Sequence, residues 1–365
     1  MRFRRHHRVA IFTYRSDKYH QLVHVEFDPQ ITPPPRNNTM ATITSSSLDR
    51  LTVCALQPRL RGDSESPQQA IDHVIDLMCR AADPARTTNG VDLLVLPELC
   101  PVGYSEHTFA HYLPTTPENQ QLYHDLDAQM AETARRLSVH ICYGTIGWHP
   151  RRDDAETTLQ GVDVGHGTRD QNIPSPSKYD LTIRQIVVGP TTGERIAVYD
   201  KMYLCDVGDC SESRFFVPSP SRQLTSFTIG RFRCGLMICF DQRFPSLAQS
   251  YAGGKHNVDV LLHPAAFVRD VTFATWKSFR ETRAIETSCY FIGLNYSGTT
   301  HGETTVVPPW VDDSGNPDTT AVSLGCDESW LVCDIQRSVL DHVRSTFPFY
   351  RILKGEAVQK KSQGC

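Results

Sequence analysis

The chain has 365 residues, of which 39% are hydrophobic and 21% are charged, and its formal net charge at pH 7 is -4. This is ordinary globular composition, and the slightly negative charge gives no electrostatic attraction toward nucleic acid or an anionic membrane as the main partner. Because no apolar run approaches the roughly 18 residues needed to span a bilayer, we expect no membrane span. Specificity must therefore come from a local site.

Six of the twelve cysteines lie inside apolar segments, unlike the short, loop-rich framework of a disulfide-stabilised protein. These six are Cys54, Cys79, Cys142, Cys234, Cys289 and Cys333. The pattern predicts reduced thiols and a cytoplasmic location.

The first 48 residues form a basic extension that we expect to be poorly ordered, since several arginines but no acidic residue precede Asp17. A mitochondrial location is the alternative if residues 1–39 are translated and act as a presequence. Met40 is a second candidate start, for a shorter product. At the other end, residues 355–365 are polar and are predicted to form a frayed tail.

The regular pattern begins with a β-α-β unit. Its two strands are predicted at residues 51–56 and 91–96, and Ser66 is predicted to cap the helix between them. Pro97 ends the second strand, so Glu98 falls just beyond the carboxyl end of that strand, where open α/β sheets bind their ligands. The alternative interpretation of Glu98 is a surface-loop acid.

The middle of the chain continues the alternation of helix and strand. Residues 117–137 carry apolar side chains at helical spacing, and residues 139–146 are strand-like. Residues 151–177 are rich in Asp, Gly, Thr and Pro, which predicts an inserted surface loop. Residues 181–188 and 195–199 flank a Pro-Thr-Thr-Gly turn and predict a hairpin.

An apolar run at residues 234–238 ends abruptly at Cys239. The run has the continuous hydrophobicity of a strand buried on both faces, and Pro245 is placed to open a helix. Cys239 therefore lies on a predicted strand-to-helix turn, where backbone N–H groups can stabilise a thiolate or a developing oxyanion. A small buried core residue is the alternative interpretation.

The rest of the chain predicts another buried strand and a closing set of elements. Residues 258–262 form the strand, which ends in His263 to Phe267 and so brings loop residues to the same sheet edge. The further predictions are a helix at 273–288, strands at 290–295, 304–307 and 330–335, and a helix at 339–344.

Three segments together resemble the Glu–Lys–Cys signature of the nitrilase superfamily of carbon–nitrogen hydrolases. They are Leu-Pro-Glu at 96–98, Tyr-Asp-Lys at 199–201 and Met-Ile-Cys-Phe-Asp-Gln-Arg-Phe-Pro at 237–245. The resemblance covers a single hydrolase domain that we place at residues 49–354, with residues 151–177 inserted in it. It implies a four-layer α-β-β-α sandwich of two mixed sheets. It also implies association through the outer helices into a homodimer or larger homo-oligomer.

The resemblance implies a role for each polar residue of the signature. Cys239 is the expected nucleophile, and Glu98 is expected to take its proton, return it to the leaving nitrogen and then activate water. Lys201 and the N–H of Phe240 are expected to hold the oxyanion. Glu212, in a segment similar to the family's second-glutamate motif, is expected to orient the water or Lys201.

Four further residues are expected to surround this site. Asp241 and Arg243 are predicted to fix the turn through an internal ion pair rather than to touch the substrate. Arg269 and Tyr203 are candidates for lining the end of the pocket that receives a substrate carboxylate.

The resemblance implies no metal and no cofactor. The spacing of Cys205 and Cys210 invites a zinc interpretation, but no second Cys or His pair follows at finger-like distance. The expected partner is a small-molecule amide substrate.

Within the superfamily the chain most resembles the omega-amidase branch, which removes the terminal amide of small dicarboxylic acid monoamides. It departs from that branch at Ser246, Tyr203 and Cys205. A deaminated-glutathione amidase and an N-carbamoyl amino acid amidohydrolase are the enzymatic alternatives. A catalytically silent scaffold that acts through protein partners is the alternative from another class. The stretches that suggest the omega-amidase branch are residues 246–252, 263–267, 302–310 and 347–351.

Overall fold

The computed structural model describes residues 49–83, 90–150, 179–208, 210–253 and 256–353. All of these residues belong to one unit of the chain. The predicted extension before residue 49, the predicted insertion (151–177) and the predicted tail (355–365) lie outside the described residues. Those three assignments therefore stay predictions.

The described residues contain twelve strands arranged in two six-stranded sheets. One sheet has the order β12-β1-β2-β3-β4-β5 and the other has the order β11-β10-β9-β8-β7-β6. The strands are β1 (Arg50–Gln57), β2 (Leu93–Val95), β3 (His140–Pro150), β4 (Tyr179–Val188), β5 (Arg195–Asp200), β6 (Ser226–Ile229), β7 (Phe232–Leu236), β8 (Val260–Pro264), β9 (Tyr290–Leu294), β10 (Thr305–Val307), β11 (Val322–Ser323) and β12 (Ser329–Gln336).

Seven helices accompany these strands in the described part of the chain. They are α1 (Pro67–Ala81), α2 (Glu106–His111), α3 (Pro117–Leu137), α4 (Pro245–Tyr251), α5 (Ala274–Thr287), α6 (Arg337–Thr346) and α7 (Phe349–Leu353). None of them combines the length and apolarity needed to cross a membrane.

Helix α1 begins where the sequence predicts, because Ser66 caps it and Pro67 occupies its first position. The Ser66 hydroxyl accepts a hydrogen bond from the Gln69 N–H (3.2 Å), and the Gln69 side-chain oxygen accepts one from the Ser66 N–H (2.9 Å). This reciprocal capping satisfies two donors that a helix start leaves unpaired, and Pro67 fits the first helical position because it has no N–H. A cap of this kind typically contributes about 1 kcal/mol.

The two sheets and their helices form the predicted four-layer sandwich. Helices α1 and α3 pack against each other, and α3 packs on β3 of the first sheet. Helices α4 and α5 pack against each other, and α5 packs on β9 of the second sheet. The two sheets contact each other, β1 against β9 and β5 against β6, and their buried apolar side chains form one continuous core. The predicted α/β sandwich of two mixed sheets is confirmed.

Some strand and helix bounds differ from the prediction. Strand β3 continues to Pro150 because β4 pairs with it along its whole length, so backbone hydrogen bonds extend it beyond the apolar run. The short helices α2 and α7 have no counterpart in the prediction, since helices of five or six residues contain too few turns to show a periodicity.

Strand directions place the carboxyl ends of several strands at the edges where the candidate residues lie. In the first sheet β2 runs parallel to β3. Strand β5 has the same direction as β3, because β3 and β5 are each antiparallel to β4. In the second sheet β7, β8 and β9 are parallel to one another. The chain leaves β2 toward Glu98, β5 toward Lys201 and β7 toward Cys239.

Candidate active site

Glu98 lies in a tight turn that packs against β3. The next residue, Leu99, has a positive φ of 52°. The Gly144 N–H of β3 donates to the Cys100 carbonyl (3.0 Å), and a Cβ on Gly144 would lie only 2.3 Å from the Leu99 backbone nitrogen. Only glycine therefore allows β3 to approach this turn so closely. The approach fixes the backbone that carries Glu98.

Lys201 lies between two carboxylates. Its Nζ is 2.7 Å from Oε1 of Glu98 and 2.7 Å from Oε1 of Glu212, and the three side chains are at most 1% exposed. Burial acts to lower the pKa of Lys201, but the charges of Glu212 and Glu98 outweigh it, so the pKa lies well above its ordinary value. Lys201 is therefore held as a cation in a water-excluded position.

Glu212 is held by three donors. Oε1 accepts from the Tyr104 hydroxyl (2.6 Å) as well as from Lys201, and Oε2 accepts from the Cys205 N–H (2.8 Å). The carboxylate is carried on a short 3-10 helix, Glu212–Arg214. Glu212 thus lies beside Lys201, and its role in orienting Lys201 or water stays a prediction.

Cys239 begins a 3-10 helix, Cys239–Arg243, that runs into α4. Its φ is +44°, a left-handed conformation that costs a non-glycine residue free energy and is found preferentially at functional sites. The side chain is 8% exposed. His263, at the end of β8, donates from Nε2 to the Cys239 carbonyl (2.8 Å) and so supports the strained backbone. Burial lowers the pKa of His263 to about 3, which keeps the ring neutral near pH 7.

The thiol of Cys239 and the carboxylate of Glu98 are close enough for each to affect the pKa of the other. Burial raises the pKa of Glu98 to about 7, although the Lys201 charge acts to lower it. Burial, followed by the Glu98 charge, raises the pKa of the Cys239 thiol well above its ordinary value. Near neutral pH the resting pair is therefore a protonated thiol beside a carboxylate that can accept its proton.

The loops after β8 and β9 complete the surroundings of Glu98. The Ala266 N–H donates to Glu98 Oε2 (3.1 Å), and the Tyr296 hydroxyl donates to the Glu98 carbonyl (2.8 Å). Asn295 fixes the first of these loops by accepting from the Phe267 N–H and donating to the Phe267 carbonyl, both at 2.9 Å. The second sheet thus orients a carboxylate that belongs to the first.

The expected ion pair between Asp241 and Arg243 does not occur among the described residues, so this part of the prediction is wrong. Asp241 instead accepts three hydrogen bonds, from the Tyr199 hydroxyl (2.7 Å) and the N–H groups of Tyr203 (2.9 Å) and Ile238 (3.0 Å). Burial raises the pKa of Asp241 to about 6. The carboxylate binds backbone groups because a turn buried this deeply leaves N–H donors that need acceptors.

Arg243 lies among aromatic rings rather than carboxylates. Its guanidinium carbon is 5.5 Å from the centroid of the Phe240 ring, 5.9 Å from that of Phe267 and 5.2 Å from that of Phe279. Its Nε is buried and has no hydrogen-bond partner. Among the residues that the structure describes, no carboxylate pairs with this guanidinium, which lies beside Phe240, the residue that follows Cys239.

The two residues predicted for the far end of the pocket have different surroundings. The Tyr203 ring stacks on Phe244 with centroids 3.6 Å apart. Arg269 donates to Glu303 Oε1 (2.7 Å) and to the His301 carbonyl (2.6 Å), so its charge is already paired within the protein. These contacts give Arg269 a structural role in the loop that follows β8.

Three residues of the site have no role in the prediction from sequence. His263 could have been found, because it occupies the carboxyl end of a predicted buried strand. Tyr104 and Tyr296 carried no comparable signal, since their hydroxyl groups reach Glu212 and Glu98 only through the fold.

Comparison with known proteins shows the family of the chain. The family model described as carbon-nitrogen hydrolase matches residues 50–324. The chain is 26% identical over 306 residues to a deaminated glutathione amidase from Rattus norvegicus, and this alignment covers 77% of this chain and 84% of that protein. It is 25% identical over 274 residues to an omega-amidase from Homo sapiens, and this alignment covers 72% of this chain and 83% of that protein.

Solved structures give the same result for the fold. A carbon-nitrogen hydrolase from Helicobacter pylori has a TM-score of 0.62 at 20% identity, and the match covers 83% of this chain and 94% of that one. With two mixed sheets, a buried Glu–Lys–Glu cluster beside a cysteine, and a family match over most of its length, the chain belongs to the carbon–nitrogen hydrolase family of the nitrilase superfamily.

Proposed function

We propose that the protein hydrolyses the amide bond of small carboxylate-bearing amides through a thioester on Cys239. The observation that carries this proposal is the buried contact of Lys201 Nζ with Glu98 and Glu212, beside the buried thiol of Cys239. An unactivated amide needs a strong nucleophile, a proton donor for the leaving ammonia and a positive group at the oxyanion. The site offers a candidate for each.

In the first step the Cys239 sulfur attacks the amide carbon while Glu98 takes the thiol proton. Negative charge then develops on the amide oxygen, where Lys201 and the Phe240 N–H stabilise it. Glu98 returns the proton to the nitrogen, and ammonia leaves as the thioester forms. Glu98 next takes a proton from water, whose oxygen attacks the thioester; the C–S bond breaks, the carboxylic acid leaves, and the Cys239 sulfur takes the proton back from Glu98.

Glu212 and Tyr104 act as positioning residues in this mechanism. Glu212 balances the charge of Lys201 and holds its Nζ beside Glu98, while the Tyr104 hydroxyl holds the same carboxylate oxygen. The cluster of Glu98, Lys201 and Glu212 therefore keeps a fixed geometry as the proton moves to and from Glu98.

The pKa of Glu98 predicts the acidic limb of the pH profile. Glu98 must be ionised to accept the thiol proton, so kcat/KM should fall about tenfold per pH unit below about pH 7. The measurement is kcat/KM between pH 5 and 9, with circular dichroism at each pH to show that the fold persists. A kcat/KM that stays nearly constant down to about pH 5, as the ordinary glutamate value of about 4.3 would give, would contradict the assignment of Glu98.

The proposed substrates are short omega-amides of dicarboxylates. Two observations support a carboxylate at the far end of the substrate: the guanidinium of Arg243 beside Phe240, whose Nε has no partner among the described residues, and the similarity to an omega-amidase. A deaminated glutathione is the second candidate, because a relative of similar identity and greater coverage carries that name. Both substrates combine an amide with a carboxylate that a guanidinium can bind.

A substrate panel tests this proposal. Ammonia release is measured with succinamate, 2-oxoglutaramate, glutamine, asparagine and an N-carbamoyl amino acid, and release of cysteinylglycine is measured with deaminated glutathione; the short omega-amides are expected to react fastest. Preference for the N-carbamoyl compound with no turnover of succinamate would contradict the proposed substrate but not the mechanism. Absence of both ammonia and an acylated Cys239 peptide would favour the silent scaffold.

Arg243→Met extends the same test. We expect KM for succinamate to rise on the order of 10-fold to 100-fold, since a charged hydrogen bond to substrate contributes roughly 1.5–3 kcal/mol, with little change for the neutral butyramide. Arg269→Met is the matched control, because that guanidinium already pairs with Glu303. An equal effect of Arg243→Met on both substrates would remove Arg243 from carboxylate recognition.

A homodimer or larger homo-oligomer and a cytoplasmic location also form part of the proposal. The family resemblance stated above and the reduced thiols support them. Light scattering on the purified protein tests the oligomeric state. Fractionation of the source cells tests the location.

A further inference from the structure

The nucleophile and the expected oxyanion donor share one peptide group. That peptide joins Cys239 to Phe240, so its oxygen is the Cys239 carbonyl and its N–H is the Phe240 N–H. In a planar trans peptide the C=O and N–H bonds point in opposite directions. A group that fixes the Cys239 carbonyl therefore also fixes the direction of the Phe240 N–H.

His263 binds this carbonyl from the neighbouring strand. Strand β8 pairs with β7 in parallel, and the Met237 N–H still donates to the Leu262 carbonyl (3.0 Å). The next residue of β8, His263, therefore lies where the chain turns away at Cys239. The Nε2 atom of His263 is 2.8 Å from the Cys239 carbonyl oxygen, and the side chain is fully buried. Because a carbonyl oxygen only accepts, Nε2 must carry the proton of this hydrogen bond.

The imidazole ring of His263 is held in one position by aromatic neighbours. Its centroid is 5.2 Å from that of the Phe291 ring and 5.5 Å from that of the Trp276 ring. The other ring nitrogen, Nδ1, is buried and has no hydrogen-bond partner among the described residues. Within this part of the chain, the polar contact that the ring makes is thus the one with the Cys239 carbonyl.

The rest of the turn after Cys239 leaves the Phe240 N–H available. The Asp241 N–H donates to the Ile238 carbonyl (3.0 Å), and the Phe244 N–H donates to the Asp241 carbonyl (3.1 Å). The Phe240 N–H has no acceptor in the described segments of the chain. It can therefore donate to an oxygen of the substrate.

We propose that His263 is a positioning residue for the oxyanion site: it holds the Cys239 carbonyl so that the Phe240 N–H faces the oxygen on which negative charge develops. This inference rests on the proposed function, which assigns that N–H to the oxyanion. The φ of +44° at Cys239 is a strained conformation, and the bond from His263 opposes its relaxation. A hydrogen bond to the carbonyl also polarises the peptide and strengthens its N–H as a donor.

Without the His263 donor the peptide is freer to rotate, which takes the Phe240 N–H away from the substrate oxygen. Loss of one oxyanion donor typically costs on the order of 10²–10³ in rate, and a donor that is only misaligned keeps part of its effect. His263→Phe removes the donor but keeps a ring beside Phe291 and Trp276, so we expect kcat for the fastest amide of the substrate panel to fall 10-fold to 100-fold. KM should change little, because the bond matters only when the oxyanion forms.

His263→Gln provides the conservative rescue. The glutamine amide has an N–H that can reach the Cys239 carbonyl from a position close to that of Nε2, so kcat should stay within a few-fold of wild type. His263→Met, which resembles glutamine in shape but has no donor, should behave like His263→Phe and replaces it if the phenylalanine variant does not fold. Equal kcat in His263→Gln and His263→Met would overturn the proposal.

An aldehyde provides a measurement that needs no amide turnover. The Cys239 sulfur adds to the carbonyl carbon of butyraldehyde, the thiol proton moves to the aldehyde oxygen, and this oxygen lies where the oxyanion forms. Iodoacetamide alkylates the same thiol by displacing iodide, which creates no oxyanion. Protection of Cys239 by butyraldehyde against iodoacetamide is measured by tandem mass spectrometry of the tryptic peptide 234–243. His263→Phe should weaken this protection 10-fold to 100-fold and leave the alkylation rate without aldehyde within a few-fold of wild type.

Phe291→Leu is the matched control for packing. It loosens the contact with the His263 ring but keeps the donor, so Tm should fall while kcat and aldehyde protection stay within a few-fold of wild type. The proposal is overturned if Phe291→Leu loses as much protection as His263→Phe, or if alkylation of His263→Phe slows as much as its protection weakens. If wild type binds the aldehyde but turns over no amide, the proposed function fails, while the aldehyde measurement still decides the role of His263. A wild type that does neither overturns both.

Discussion

Cys239→Ala is expected to abolish amide hydrolysis and leave the protein folded. Removal of the nucleophile should lower kcat on the order of 10⁴-fold to 10⁶-fold, as loss of the attacking residue does in other covalent hydrolases. The side chain is small and lies at a turn that His263 and Asp241 hold through backbone groups, so the fold does not depend on the sulfur. Steady-state ammonia release and thermal unfolding measure the two effects.

Cys234→Ala provides the matched control for this prediction. Cys234 is fully buried in β7, five residues before Cys239, and belongs to the core rather than to the site. Its replacement should cost stability, because it removes buried apolar surface, and should leave kcat within a few-fold of wild type. Turnover by Cys239→Ala comparable to wild type would show that another group attacks the amide.

Lys201→Met is expected to reduce turnover strongly and also to change how stability depends on pH. Loss of one oxyanion donor typically costs on the order of 10²–10³ in rate, or roughly 3–4 kcal/mol. Glu98 and Glu212 would then remain buried without their shared cation, and the pKa of Glu98 would rise further above about 7. A protonated Glu98 cannot accept the thiol proton, which lowers the rate again.

The same substitution gives a directional change in stability. Because the folded pKa of Glu98 lies above its unfolded value of about 4.3, the folded state binds more protons, and stability falls as pH rises through that interval. Lys201→Met should therefore lose more Tm between pH 6 and 8 than wild type. Lys277→Met, which removes an exposed lysine of α5, should change neither Tm nor kcat appreciably. Equal pH dependence in Lys201→Met and wild type would mean that Lys201 does not compensate the buried carboxylates.

Most of the fold could be predicted because its elements carry local signals. Helix α3 begins and ends at the predicted residues, since Thr116 caps it and Pro117 occupies the first turn. The buried strand before Cys239 and the helix opened by Pro245 follow from the same kind of signal, a continuous apolar run that ends before a proline. The order of Glu98, Lys201 and Cys239 then sufficed to identify the family.

The partners of these residues could not be predicted because they are distant in sequence. The sequence predicts that Asp241 pairs with its near neighbour Arg243, whereas the fold supplies Tyr199 of β5 and Tyr203 of the loop that follows β5. A carboxylate buried at a turn accepts hydrogen bonds from the strand end that lies opposite it in the fold. The sequence contains no pattern that predicts which strand end this is. The same reason hides the contact of Tyr296 with Glu98.

The site is divided between two sheets, so the packing between the sheets affects the distance from Glu98 to Cys239. Glu98 and Lys201 follow strands of one sheet, and Cys239 follows a strand of the other. The separation of the acid–base group from the nucleophile is therefore set by the thickness of the apolar layer between the sheets, which packs as densely as an organic crystal and hardly compresses. A methylene group added to or removed from that layer acts on the reaction as a change in spacing, even where it lies far from every reacting atom.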